Sequence, residues 1–132
     1  MNGQATETVG MMDESTVHEL PDGGKITYAT MDSTMSGDIA GTSRSTMIML
    51  YSDDNRAKYN GYQTLTGSVG GKAGTTVWAF EGGFDGERIV THFRFLPEFS
   101  TEGLTGLKGG GTITAGRGHT AEYTFEYSFL ES

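Results

Sequence analysis

Cysteine is absent from the 132-residue sequence, which excludes disulfides, thiolate metal ligands and a cysteine nucleophile. No apolar run approaches the length that a membrane-spanning helix needs. Residues 1–4 show neither the basic nor the apolar segment of a secretory signal. These absences predict a cytoplasmic protein with no membrane partner.

Basic residues are few, because nine Lys and Arg stand against 17 Asp and Glu, for a net charge of −8. Nucleic-acid binding depends on Lys and Arg that neutralise phosphates, and these nine are scattered along the chain. We therefore expect no nucleic-acid partner and interpret the acidity as an aid to solubility. The three histidines include no pair at metal-ligand spacing, so we predict neither a metal site nor a cofactor.

Glycine is abundant, with 21 residues, and two glycine-containing pairs mark tight reversals. Gly70-Gly71 and Asp85-Gly86 each separate two strand-like segments. Two-residue hairpin turns need the positive φ angles that Gly, Asn and Asp adopt most readily. Because no helical periodicity of useful length is visible, the pattern predicts a meander of antiparallel strands.

Apolar or alternating segments between the turns predict eight strands, at residues 4–12, 25–36, 38–52, 56–69, 72–83, 87–96, 107–115 and 119–130. Residues 13–24 are predicted as a connecting loop, and residues 98–105 as a loop with one helical turn. The length fits a single domain, residues 1–132. Eight such strands without covering helices form a sandwich or a closed barrel, and the short hairpins and glycines favour an all-β, eight-stranded antiparallel barrel.

The last strand has the clearest alternation of the chain. Its aromatic face, Tyr123, Phe125 and Tyr127, must be interior, because the residues between them are Thr and Glu. Together with Trp78 and Phe80, these rings supply enough area to line a lumen. The pattern leaves open whether the lumen is filled by its own side chains or holds one small ligand.

The end of the third strand is apolar on both faces. One face can be interior, and the other then needs cover from a loop or from a second subunit. We predict that Met47, Met49 and Tyr51 form the interface of a homo-oligomer, with a dimer favoured because symmetric pairs are the commonest oligomers.

Several turn motifs resemble a known family, namely SGDI (36–39), TGSVGGKAG (66–74), GGFDG (82–86), GLTGLKG (103–109) and YTFEY (123–127). They resemble the bacterial domain of unknown function 3224 over about residues 24–131. The resemblance implies an up-and-down barrel similar to allene oxide cyclase, in a family without an established activity. Relatives of that barrel include cyclases and dirigent proteins, which handle substrates inside the lumen.

The chain departs from that family at three positions. The resemblance places an acid at the positions of Thr46 and Gln63 and a His at Phe80, all facing one cavity from neighbouring strands. Here a hydroxyl, an amide and a ring replace the ionisable groups. Acid–base chemistry that used those groups is therefore not expected in this chain.

Two other titratable residues lie on predicted strands. Glu81 is a candidate carboxylate at the rim of the barrel, although exposure to water is the favoured interpretation. His92 could act as a general base beside Arg94, but its position in the alternation favours a solvent-facing side chain.

Three hypotheses for function follow. In the first, the lumen binds an apolar or aromatic small molecule, with Trp78, Phe80, Tyr123 and Tyr127 as walls and Gln63 as the polar contact. In the second, the protein is a cyclase or isomerase that pre-folds its substrate; Gln63 and Thr46 would polarise the substrate, and Glu81 would be the base. In the third, the protein has a structural or interaction role as a homo-oligomer.

Overall fold

Eight antiparallel strands close into one barrel in the computed structural model, which describes residues 1–54, 56–85, 87–115 and 118–130. The strands are β1 (Asn2–Glu19), β2 (Lys25–Gly37), β3 (Ile39–Tyr51), β4 (Ala57–Val69), β5 (Lys72–Phe84), β6 (Ile89–Phe95), β7 (Leu107–Ala115) and β8 (Thr120–Phe129). Each strand pairs with the next along the chain, and β1 pairs with β8 to close the sheet. The predicted all-β, up-and-down barrel is confirmed.

The β4–β5 hairpin has the predicted two-residue turn. Val69 pairs with Lys72, and Gly70 and Gly71 between them have φ angles of 60° and 85°. Both lie in the left-handed region, which glycine adopts without steric cost. The second predicted turn includes Gly86, which lies outside the described residues.

β1 is longer than predicted, because residues 13–19 continue the strand instead of forming a loop. This extension pairs with β2 from Asp13↔Thr30 to Glu19↔Lys25, with a register shift between Thr16 and His18. Its residues are all exposed. Backbone pairing and the hydrogen bonds that Glu14 accepts from Thr27 and Tyr51 hold the extension, which has no buried face and hence no alternation that would reveal it.

One end of the barrel, here called the packed end, holds the connections that follow β2, β4 and β6. The last of these contains two 3-10 helices, Pro97–Phe99 and Glu102–Leu104. Fully buried apolar side chains fill this end: Ile39, Val69, Leu104 and Leu107. The other connections lie at the opposite end, here called the open end.

The middle of the lumen is filled by aromatic rings. Trp78 is fully buried, with ring centroids 5.7 Å from Phe95 and 5.9 Å from Phe93. Phe93 in turn lies 5.3 Å from Tyr123 and 6.1 Å from Phe125. The tilted and edge-on geometries are those that aromatic pairs favour. The predicted inward orientation of the aromatic face of β8 is confirmed.

Candidate functional site

A cavity of about 360 Å³ lies toward the open end of the barrel. Its lining includes Met49 near the end of β3, Ile89 at the start of β6 and His119 just before β8. Most of its walls are apolar side chains that point inward, including Met31, Met47, Tyr59, Phe80, Ile113 and Ala121. Its polar lining includes Glu7, Ser45, Gln63 and Tyr123, which come from four different strands.

Glu7 is a buried carboxylate, 3% exposed, that accepts three hydrogen bonds. Its Oε1 accepts one from the Tyr123 hydroxyl at 2.6 Å. Its Oε2 accepts one from Ser33 Oγ at 2.5 Å and one from Gln63 Nε2 at 3.1 Å. All three donors are neutral groups, so hydrogen bonds alone offset the desolvation of this carboxylate.

Gln63 is held in one orientation by Trp78. The indole Nε1–H donates to Gln63 Oε1 at 3.1 Å, and because an indole can only donate, the amide oxygen must face it. The amide nitrogen then faces Glu7 and also donates to Ser43 Oγ at 3.0 Å. Both the oxygen and the nitrogen of Gln63 are engaged, so Gln63 positions Glu7, and the ligand contact predicted for Gln63 stays a prediction.

Ser45 is the neighbour of Gln63 across the β3–β4 pair and lines the same cavity. Its side chain is 1% exposed. Within the described part of the chain, its Oγ is the one buried side-chain oxygen or nitrogen without a hydrogen-bond partner. A buried polar atom in this state needs an explanation, and Ser45 is one of the residues that line the cavity.

Two tyrosines that line the cavity are held in the protonated form. Burial and, to a smaller extent, the negative charge of Glu7 raise the pKa of Tyr123 well above its ordinary value. Burial also raises the pKa of Tyr59, whose hydroxyl lies 2.5 Å from Thr91 Oγ1. Tyr123 therefore remains a hydrogen-bond donor to Glu7 throughout the physiological pH range.

The aromatic residues predicted to line the lumen separate into two groups. Phe80 and Tyr123 line the cavity. Trp78, Phe125 and Tyr127 are buried in the aromatic packing, outside the cavity lining. The lumen is therefore filled by aromatic side chains in its middle and contains the cavity toward the open end.

Thr46 was predicted to face the lumen, and the structure corrects this; Glu81 was a candidate at the rim for which exposure to water was the favoured interpretation. Ser45 pairs with the inward Gln63, so the alternation turns Thr46 outward, where it is exposed. Glu81 follows the inward Phe80 and is likewise exposed on the outer face, where it pairs with His92. His92 is solvent-exposed, as predicted.

The proposed interface residues are also placed differently from the prediction. Met47 is buried and Met49 is half-buried, and both line the cavity. The Tyr51 hydroxyl donates to Glu14 at 2.7 Å. The outward apolar residues of this strand are Ile48 and Leu50, which are 47% and 42% exposed. The homo-oligomer stays a prediction, and its interface would have to use these two residues instead.

Sequence reasoning missed Glu7, Ser33 and Ser45. The signal for Glu7 was present, because it alternates with Ala5 and Val9 on what is otherwise an apolar face. A charged residue flanked in this way by inward positions marks a buried carboxylate. The serines had no comparable signal.

The described ranges, 1–54, 56–85, 87–115 and 118–130, contain no group of three or more His, Asp or Glu that could hold a metal ion. Over the same ranges, none of the helices is both long enough and apolar enough to cross a bilayer.

Comparisons with known proteins agree on the fold. Residues 3–127 match the profile of the family described as "Protein of unknown function (DUF3224)". A crystal structure of a protein with unknown function from the DUF3224 family, from Shewanella oneidensis MR-1, superposes with a TM-score of 0.75. The two chains are 21% identical, and the alignment covers 96% of this chain and 98% of the other. No curated protein matches the sequence.

Proposed function

The chain belongs to the DUF3224 family, and we propose that it binds a small, largely apolar molecule in the cavity at the open end of its barrel. Ser45 and Glu7 would supply the polar contacts. The observation that carries this proposal is the buried Ser45 Oγ, which has no hydrogen-bond partner and belongs to a residue that lines the cavity.

The energetics favour an occupant at this position. A buried hydroxyl left unpaired costs about 1–3 kcal/mol, which a ligand group bonded to Ser45 would recover. The rest of the network is satisfied and fixed, so the cavity is preorganised and little would have to move on binding.

The size and lining of the cavity fit a small ligand. Its volume of about 360 Å³ lies at the small end of the range for ligand pockets, roughly 300–1,000 Å³. Methionine side chains such as Met47 and Met49 adapt their shape to an apolar body. Apolar walls with few convergent polar groups are typical of ligand sites.

The cyclase or isomerase hypothesis has less support than binding. Thr46 and Glu81, two of its three assigned residues, are on the outer face. Gln63, the third, is engaged in holding Trp78 and Glu7. Any lumenal acid–base chemistry would therefore have to use Glu7, whose carboxylate is held by three donors in a fixed arrangement.

Calorimetric titration with 2-phenylethanol, a neutral molecule with one ring and one hydroxyl, tests the proposal. We expect binding to the wild-type protein and its loss in Ala121→Leu, because Ala121 lines the cavity opposite Glu7 in the β1–β8 register. Ala79→Leu is the matched control, since it adds the same side chain to the outer face of β5. Equal binding by Ala121→Leu and the wild-type protein would place the ligand elsewhere and refute the proposal.

A further inference from the structure

Glu7 is a buried negative charge without a cation beside it. In the described part of the chain, the ion pairs join Arg44 to Asp32 and Arg56 to Asp54, and these side chains are exposed. A buried charge normally pairs with an opposite charge or a metal ion. The cavity beside Glu7 leaves room for a cation supplied by a ligand.

The polar side chains around Glu7 have unused hydrogen-bond acceptors, whereas most of their donor hydrogens already bond to other residues. The hydroxyl hydrogen of Tyr123 and the amide hydrogens of Gln63 are directed to Glu7 and Ser43. Glu7 Oε1 accepts a single hydrogen bond, although a carboxylate oxygen has about two lone-pair positions. Ser45 Oγ accepts none.

We propose that the ligand of this site is a protonated primary or secondary amine on an apolar body, an inference that rests on the binding function proposed above. An ammonium group has only donors, which match the free acceptors at Glu7 and Ser45. Its charge would also neutralise the buried carboxylate. An anionic ligand would instead place a second negative charge against Glu7.

The walls suit the apolar body of such an amine. The rings of Tyr59 and Phe80 lie 6.5 Å apart at a tilt of 54°, and both line the cavity. Aromatic faces attract cations as well as apolar groups. The other titratable groups on the lining are Tyr59, Tyr123 and the exposed His119. An imidazolium at His119 would weaken the binding of a cation.

Three matched probes test the charge of the ligand: 2-phenylethylamine, 2-phenylethanol and phenylacetate. Calorimetric titrations at about pH 8 keep free imidazole neutral and alkylamines protonated. We expect the amine to bind about tenfold or more tighter than the alcohol, since hydrogen bonds between charged groups are the stronger ones. Phenylacetate should show no measurable binding.

Variants test whether the charge of Glu7 causes the preference for the amine over the alcohol. Glu7→Gln should weaken amine binding by about tenfold or more, because it removes the charge and exchanges one acceptor oxygen for an amide donor. Alcohol binding should weaken by a smaller factor, because a hydroxyl carries no charge and can accept from that amide. Glu81→Gln is the matched control, since it removes one carboxylate from the outer face and should leave all three titrations unchanged. If Glu7→Gln fails to fold, Ser45→Ala is the second variant, and it should weaken both the amine and the alcohol.

Each other result has a definite meaning. Alcohol binding equal to or tighter than amine binding would refute the amine inference and leave the binding function standing. An equal loss in Glu81→Gln would assign amine binding to the general negative charge of the surface and would also refute it. If none of the three probes binds the wild-type protein, the proposed function and the inference both fail.

Discussion

Replacing Gln63 by Glu exchanges one amide nitrogen of the buried network for a carboxylate oxygen. The stability of the variant protein should then depend on pH. The substitution preserves shape and keeps an oxygen for the Trp78 indole N–H. It places a carboxylate oxygen where the Gln63 amide nitrogen now lies, 3.1 Å from Glu7 Oε2. Two ionised carboxylates at this distance repel by about 5 kcal/mol with an effective dielectric constant of about 20.

The folded variant should avoid this repulsion by keeping one proton on the pair. The pKa of one carboxyl group is then raised in the folded state relative to the unfolded state. The Gln63→Glu variant is therefore most stable at low pH, and its free energy of unfolding falls as the pH rises. One retained proton lowers the free energy of unfolding by ~1.4 kcal/mol per pH unit, or about 4 kcal/mol between pH 5 and pH 8.

Urea unfolding followed by the fluorescence of Trp78, the single tryptophan, measures this effect. Gln63→Glu should approach wild-type stability at about pH 5 and fall below it by several kcal/mol at about pH 8. Thr66→Glu is the control, because Thr66 is exposed on the same strand. If Gln63→Glu and the wild-type protein show the same pH dependence, Gln63 does not face an ionised Glu7 and the described network is wrong.

Three other predictions concern packing, titration and association. Gly3→Ala would place a Cβ in steric conflict with the Phe125 ring; we expect a loss of about 1–3 kcal/mol in the free energy of unfolding measured in urea, and an unchanged midpoint would contradict the tight packing there. Burial and the hydrogen bond to Glu14 raise the pKa of Tyr51 to about 12. The ultraviolet titration curve of Tyr51, obtained by subtracting that of Tyr51→Phe from that of the wild-type protein, should therefore have its midpoint near this value and not at ~10, the value of a free tyrosine. If the predicted dimer uses the outer face of β3, Ile48→Lys should convert it to a monomer in sedimentation velocity, and a wild-type monomer at tens of micromolar would rule the dimer out.

Strand number, the β4–β5 hairpin turn and closure could be predicted because they depend on local patterns. The alternation in β8 sets which residues face inward, and Gly70 and Gly71 have the positive φ angles that the turn requires. The extension of β1 over residues 13–19 could not be predicted, because it has no buried face.

The inward direction of Thr46, which the family resemblance implied, was wrong, and the local sequence offered no check on it. Thr46 adjoins a run that is apolar on both faces, residues 47–51. Such a run has no alternation, and a shift of one residue reverses every side chain. Pairing with other strands, such as Ser45 with Gln63, decides the direction.

The polar network was beyond local reasoning because its members are distant in sequence. Glu7 meets residues that are 26, 56 and 116 positions away. Only closure of the barrel through the β1–β8 pair brings Tyr123 to Glu7. The alternation around Glu7 could have indicated a buried carboxylate, but not the groups that bind it.

A crystal structure of the protein with 2-phenylethylamine is the most direct test of a ligand site in the barrel. We predict electron density for the amine inside the cavity, with its nitrogen within hydrogen-bond distance of Glu7 Oε1 and Ser45 Oγ and its ring against Phe80. A cavity filled by the protein's own side chains, or an amine bound only on the outer surface, would contradict the account.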